Sequence, residues 1–275
     1  ILDTEPVVLD KEQVRDEALS GKGTVVFENV NFRYPGAEED ALSNISFVAE
    51  PGKTTAVIGS TGCGKSTLLH LIPRFYDVTG GRITIDGIDI RELSQKKLRS
   101  MLGFVPQKGV LFSGTIESNI KFAGEEKISD EMMKEAAQIA QAGEFIESKR
   151  EAYKSPIAQG GTNVSGGQKQ RLSIARAIAG RPEIFLFDDS FSALDYKTDA
   201  VLRKALHEKI ADATVIIVAQ RISTILHADQ IIVLDDGRIA GIGRHEELLQ
   251  TCEAYQEIAK SQLSESELKG GARGE

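Results

Sequence analysis

The sequence predicts an α/β fold in which parallel strands deliver functional groups at their carboxyl ends, and three observations lead there. Ile184-Phe185-Leu186-Phe187 is a short apolar run, the pattern of a strand buried on both faces, and it ends in Asp188-Asp189. Open α/β sheets place their ligands at that end of a strand. Upstream, Gly59-Ser60-Thr61-Gly62-Cys63-Gly64-Lys65-Ser66 is a full match to the phosphate-binding loop pattern, set between an apolar strand and a helix. Between these segments, Thr115 to about Gly180 reads as mainly helical.

The 275 residues suffice for one sizeable core and a second small lobe. Hydrophobic content of 41% and charged content of 27% are ordinary for a soluble globular protein. A formal net charge of −8 argues against a nucleic-acid partner. No apolar run reaches the roughly 18 residues of a bilayer span, and the start shows no signal-peptide pattern. Cys63 and Cys252 are the only cysteines, too few for a disulfide framework. These features predict a domain of a reducing, cytosolic compartment.

In chain order, residues 1–22 are polar and weakly periodic and are expected to form a connecting arm. Val25, Phe27 and Val30 suggest a half-exposed strand within Thr24 to Tyr34. A second strand is expected from Leu42 to Val48, with Pro51-Gly52 turning the chain into the strand Thr54 to Ile58. A helix from Ser66 to Pro73 follows the glycine loop. Arg82 to Ile85 and Ile88 to Ile90 read as a pair turned by Asp86-Gly87, and Leu102 to Val105 as a strand ended by Pro106. Asp130 to Ala142 carries Met132, Met133, Ala136, Ile139 and Ala140 at helical spacing, and core packing is the expected role of these methionines. The helix after Gly167 is expected to stop at Gly180 and Pro182. Beyond Asp189 come a helix, a buried strand from Thr214 to Ala219, and a hairpin of Ile231 to Leu234 and Arg238 to Ile242 around Asp236-Gly237. Residues 265–275 are expected to be a disordered tail.

The chemistry concentrates in a few segments. Gly59, Gly62 and Gly64 let backbone amides turn toward a polyphosphate, and the helix behind them adds its positive end. Lys65 is placed to neutralise the β and γ phosphates, and Ser66 to offer its hydroxyl to Mg²⁺. Asp188 is then the expected magnesium partner. In Asn163-Val164-Ser165-Gly166-Gly167-Gln168-Lys169-Gln170-Arg171, bare amides, a hydroxyl and a dipole open a second helix suited to an anion. One nucleotide needs only the first such terminus, so the second is expected to face a nucleotide held by another chain. His70, His207, His227 and His245 have no metal-ligand spacing.

With these motifs in this order, the chain resembles the nucleotide-binding domain of ATP-binding cassette (ABC) transporters from about Thr24 to Leu263. The resemblance implies a P-loop NTPase-like cassette with a RecA-like core, an antiparallel β subdomain and an α-helical subdomain. The domain would span residues 23–264, with the helical subdomain at about 115–180. ATP and Mg²⁺ are the implied ligands. Tyr34 would stack on adenine, and Gly59, Ser60, Thr61, Gly62, Cys63, Gly64, Lys65, Ser66 and Thr67 would surround the phosphates. Ser66, Gln107 and Asp188 would attend the Mg²⁺, Gln107 matching the family's metal-sensing loop glutamine. Val164 to Gln168 match the signature motif, whose Ser165, Gly166, Gly167 and Gln168 would act on the partner's ATP. Asp195, ending Ser192-Ala193-Leu194-Asp195, matches the loop that crosses the dimer interface. The opening Ile1-Leu2-Asp3-Thr4-Glu5-Pro6 resembles the linker behind the membrane domain of exporter-type members. The implied partners are a transmembrane domain of the same polypeptide and a second nucleotide-binding domain, at the cytoplasmic face of the cell membrane.

Four positions depart from the family pattern. Asp189 stands where the family carries the glutamate that orients and deprotonates the attacking water. Its carboxylate falls short by about an ångström, and a misplacement of that size can cost roughly 10²-fold in rate. Gln220 stands in place of a histidine that contacts the γ-phosphate; it can donate a hydrogen bond but cannot become cationic. Gln159 replaces a glutamate usual in exporters shortly before the signature, and Lys108 follows Gln107 where acidic residues are commoner. Asp189 and Gln220 both weaken hydrolysis, while Ser165 to Gln168 are intact. The chain therefore resembles the degenerate half of a heterodimeric ABC exporter, with a non-identical second chain. Rival readings are a slow homodimeric exporter, an importer ATPase, and a soluble regulatory or DNA-repair ATPase. The exporter-like linker weighs against the importer, and the lack of a coiled-coil insertion against the soluble ATPase.

Overall fold

The computed structural model describes residues 8–124 and 127–263, Ala123 through its backbone alone. The linker-like opening at Ile1 to Pro6 and the tail 265–275 lie outside the described residues. Among the described residues, no helix is long and apolar enough to cross a membrane. The chain forms two compact units, Ile1–Met101 with Thr214–Glu275, and Leu102–Ala213.

The first unit begins with β1 (Val25–Phe32), β2 (Leu42–Ala49), β3 (Thr54–Gly59), α1 (Lys65–Leu71), β4 (Gly80–Ile85), β5 (Ile88–Asp89) and α2 (Gln95–Ser100). The second unit holds β6 (Leu102–Val105), β7 (Gly114–Thr115), α3 (Ile116–Ile120), α4 (Asp130–Ile139) and α5 (Gly143–Glu147). It continues with β8 (Pro156–Ile157), α6 (Gly166–Ala179), β9 (Ile184–Asp188) and α7 (Tyr196–Lys209). The chain then returns to the first unit with β10 (Thr214–Val218), β11 (Gln230–Asp235), β12 (Arg238–Gly243), α8 (His245–Thr251) and α9 (Glu253–Gln262).

In the first unit, β2, β1, β4 and β5 form an antiparallel sheet in that order. Val25 and Phe27 alternate inward, but the next buried residues are Val30 and Phe32. The extra residue is taken up by a bulge at Asn29, whose φ of 48° an asparagine tolerates. Strand β3 lies between β10 and β11 and runs parallel to both, with β12 antiparallel beyond β11. Ala56, Val57, Ile58, Ile216, Ile231, Ile232 and Val233 are buried there, the all-apolar habit of strands covered on both faces. The Asp86-Gly87 and Asp236-Gly237 pairs all take positive φ, as tight two-residue hairpin turns require.

The arm before β1 adds no buried residue from its short 3₁₀ turn at Asp16–Ala18, yet it is firmly fastened. Asp16 accepts from the backbone N–H and hydroxyl of Ser94, and Asp10 from the Gln95 N–H. Arg74, 2% exposed, donates to the carbonyl oxygens of Leu9, Ile90 and Leu93 and to Asp77.

In the second unit, β6 pairs parallel with β9, Gly103 lying opposite Phe185. Every residue of β9 is buried, Asp188 included. Helix α6 packs on α3 and α4 and contributes Leu172, Ile174, Ala175 and Ile178 to the core. The stretch expected to be mainly helical is interrupted by an antiparallel ribbon of β7 and β8. Met133 is buried, whereas Met132 is only half-buried. Helix α6 stops at the expected place, with Gly180 as its C-cap. Gly180 stays right-handed at φ −73°, and Arg181 takes φ 45°, because Pro182 bars the residue before it from the helical region.

Candidate nucleotide site

The glycine loop leaves the carboxyl end of β3, and the sequence of that strand explains its fixed start. Gly59 ends β3 so close to β11 that a Cβ would lie 2.1 Å from the Leu234 carbonyl oxygen. Gly64 has φ 98°, and a Cβ there would press 2.7 Å against Leu42. Between them Lys65 is 9% exposed, and its ammonium donates to the carbonyl oxygens of Gly59 at 2.9 Å and Ser60 at 2.6 Å. Cys63 is buried beneath it, Sγ at 3.7 Å from Nζ. Ser66 is exposed on the first turn of α1. Tyr34 is tied to the same helix, since its hydroxyl and that of Thr67 share a hydrogen bond of 2.9 Å. Its ring meets those of Phe32 and Tyr76 edge-on.

Gln220 follows β10, the parallel neighbour of β3, with the Ala219 N–H donating to the Val57 carbonyl oxygen. Its loop is clamped by Gln262 of α9, whose Nε2 donates to the Gln220 carbonyl oxygen at 2.8 Å. The Oε1 of Gln262 accepts from the Ile222 N–H at 2.9 Å. Thus the first unit brings together Tyr34, the glycine loop and the exit of β10.

The second unit gathers a different set. Gln107 is exposed just after β6, and its Nε2 donates to Asp189 Oδ2 at 3.1 Å. Asp189 has φ 46° and is 7% exposed, adjoining Asp188 at the end of β9. Ser190 holds this turn by donating to the Val105 carbonyl oxygen at 2.8 Å, and Ser192 by donating to that of Asp189 at 2.8 Å. Ser165 caps α6 in a reciprocal box: its Oγ accepts from the Gln168 N–H, and Gln168 Oε1 from the Ser165 N–H. Asp195 caps α7 through the N–H and hydroxyl of Thr198, and these bonds hold its carboxyl below the usual range. A Cβ on Gly167 would lie 3.6 Å from the Ala193 carbonyl oxygen, so the starts of α6 and α7 adjoin. Sequence reasoning assigned no role to Gln262 or Gln170; each acts on a loop distant in sequence, and no local pattern marks it.

The family model described as ABC transporter matches residues 42–192, more than half of the chain. The chain belongs to the ABC transporter family. Its fold is the P-loop ABC ATPase fold, α/β with an antiparallel sheet and a helical part. An uncharacterized ABC transporter ATP-binding protein of Mycobacterium tuberculosis is 49% identical over 242 residues, 87% of this chain and 41% of that protein. An ATP-dependent lipid A-core flippase of Haemophilus influenzae is 42% identical over 264 residues, 96% of this chain and 44% of the flippase. Among solved structures, a bacterial Atm1-family ABC exporter with ATP bound superposes with a TM-score of 0.90 at 38% identity. That match covers 96% of this chain and 46% of the exporter. The chain therefore spans less than half the length of these ABC transporter relatives.

Proposed function

We propose that this chain is the ATP-binding motor domain of an ABC exporter, and that its own site binds Mg-ATP but hydrolyses it poorly. The observation that carries the reading is the glycine loop, with Lys65 held at its centre by two carbonyl oxygens and with Gly62 and Gly64 both at positive φ. Such a loop suits a polyphosphate. Tyr34, fixed to α1 through Thr67, offers its ring to the adenine. Gly59 to Thr67 hold the phosphates. By the family resemblance, Ser66, Gln107 and Asp188 would each offer Mg²⁺ an oxygen, the donor type that suits this hard cation. When bound, Mg²⁺ neutralises phosphate charge during transfer.

Asp189 and Gln220 form the weakened pair. The Asp189 carboxylate accepts from Gln107, which fixes its orientation but cannot lengthen it. Ser165, Gly166, Gly167 and Gln168 serve the ATP of a second, non-identical nucleotide-binding domain, and Asp195 lies at that interface. Residues 1–22 link to a transmembrane domain at the cytoplasmic face of the membrane, and the many polar ties of the arm support a linker that transmits movement.

The test is ATP binding beside single-turnover hydrolysis, with and without the partner chain. Asp189→Glu is expected to raise hydrolysis by about 10²-fold, and further with Gln220→His. Brisk turnover by the unaltered chain, or no gain from either change, would count against the degenerate site. Equal turnover of two identical copies would favour a homodimer.

A further inference from the structure

Gln170 is a polar side chain on α6 that is 1% exposed, and its two hydrogen bonds both leave the helix. Its Oε1 accepts from the Gly109 N–H at 2.8 Å, and its Nε2 donates to the Pro106 carbonyl oxygen at 3.1 Å. Those two backbone groups bracket Gln107-Lys108. A buried amide satisfied at both ends fixes what it touches, since losing either bond would strand a polar group away from water.

The steric contacts give the same result. A Cβ on Gly109 would lie 2.7 Å from Ser173 Oγ, 2.9 Å from the Lys169 carbonyl oxygen and 3.1 Å from Gln170 Oε1. Ser173 is itself buried and donates to that Lys169 oxygen at 3.0 Å, so this wall has little freedom to retreat. The loop is thus pressed onto α6, and only a glycine at 109 permits the approach. From this bracket Gln107 reaches Asp189 Oδ2.

We propose that Gln170 is a positioning residue for Gln107, setting the aim of its amide and, through it, the seat of the Asp189 carboxylate. The proposal rests on the reading that Gln107 attends Mg²⁺ and Asp189 the water. Gln170 lies little more than one turn beyond Gly166, where α6 begins. A shift at the signature end of the helix is therefore passed to Gln107 by one side chain, within a single unit.

Gln170→Met keeps the length of the side chain and removes both hydrogen bonds. Amide hydrogen exchange on the full chain should show Gly109 losing protection in this variant while Ile116 keeps its own. The Mg²⁺ midpoint for binding a fluorescent ATP analogue should rise, and single-turnover hydrolysis should fall. Each change should be about fivefold, the equivalent of one net hydrogen bond, with affinity for the metal-free nucleotide unchanged. In a Gln107→Ala background Gln170→Met should change neither quantity. Undiminished protection at Gly109, or effects of the two substitutions that simply multiply, would overturn the proposal. If Gln170→Met does not fold, Gly109→Ala displaces the same loop from its other side, and an unmoved Mg²⁺ midpoint there overturns it equally. Failure of the unaltered chain to bind Mg-ATP would sink the functional reading and the positioning role with it. Normal binding with multiplying effects would sink only the latter.

Discussion

Asp189 occupies a backbone state that few side chains accept. At φ 46° an L-residue brings Cβ toward a carbonyl oxygen, a strain that Asp and Asn relieve by local hydrogen bonding. Lengthening the side chain forgoes part of that relief. Asp189→Glu is therefore expected to lower unfolding free energy by up to about 1 kcal/mol, while Asp189→Asn leaves it near the unaltered value. Urea unfolding of the three proteins checks this, and an Asp189→Glu protein as stable as the Asn variant would refute the strain. A carboxylate one methylene shorter than glutamate was legible in the sequence at this position. Its backbone state was not, because Asp188-Asp189-Ser190 carries no glycine to announce a left-handed turn. Gln170 and Gln262 were hidden for another reason: a glutamine bonding to distant backbone leaves no periodic trace.

Elements with a two-sided environment were the most legible. Strand β9 reads directly from its apolar run, since both faces are covered, and β3, β10 and β11 follow the same rule. The ribbon of β7 and β8 escaped because two residues per strand hold no period. In β1 the sequence suggested only a half-exposed strand through Val25, Phe27 and Val30, and the bulge at Asn29 emerges from the pairing with β2. The α8–α9 pair carries a contact that no pattern predicts: His245 Nδ1 lies 2.7 Å from the hydroxyl of fully buried Tyr255. Burial pushes the His245 pKa down and the Tyr255 pKa up. The folded state thus favours neutral His245, so its stabilisation is complete above about pH 6.5, the free imidazole value, and fades as pH falls below it. The thermal midpoint should drop between pH 7.5 and 5.5, and less so in His245→Gln. Parallel pH slopes for the two proteins would remove His245 from the account.

At the scale of the whole molecule, Arg74 joins segments that are far apart in the chain, gripping Leu9, Ile90 and Leu93 just beyond α1. Arg74→Met strands those carbonyl oxygens and should cost about 1–3 kcal/mol. Limited proteolysis should then cut within residues 8–18 first; an arm as resistant as before would deny Arg74 this role. The order of the strands has a consequence for synthesis. Thr54 pairs with Val215 and Thr55 with Gln230, so β3 emerges from the ribosome long before either neighbour exists. Leu102–Ala213, by contrast, is contiguous and has its own strand partners at hand. Such long-range closure is slow, and until it happens the hinge of the Gly59 loop lacks the Leu234 backstop that shapes it. A nascent chain should consequently gain its grip on triphosphate only once β11 has been made, after the contiguous stretch Leu102–Ala213 has already folded.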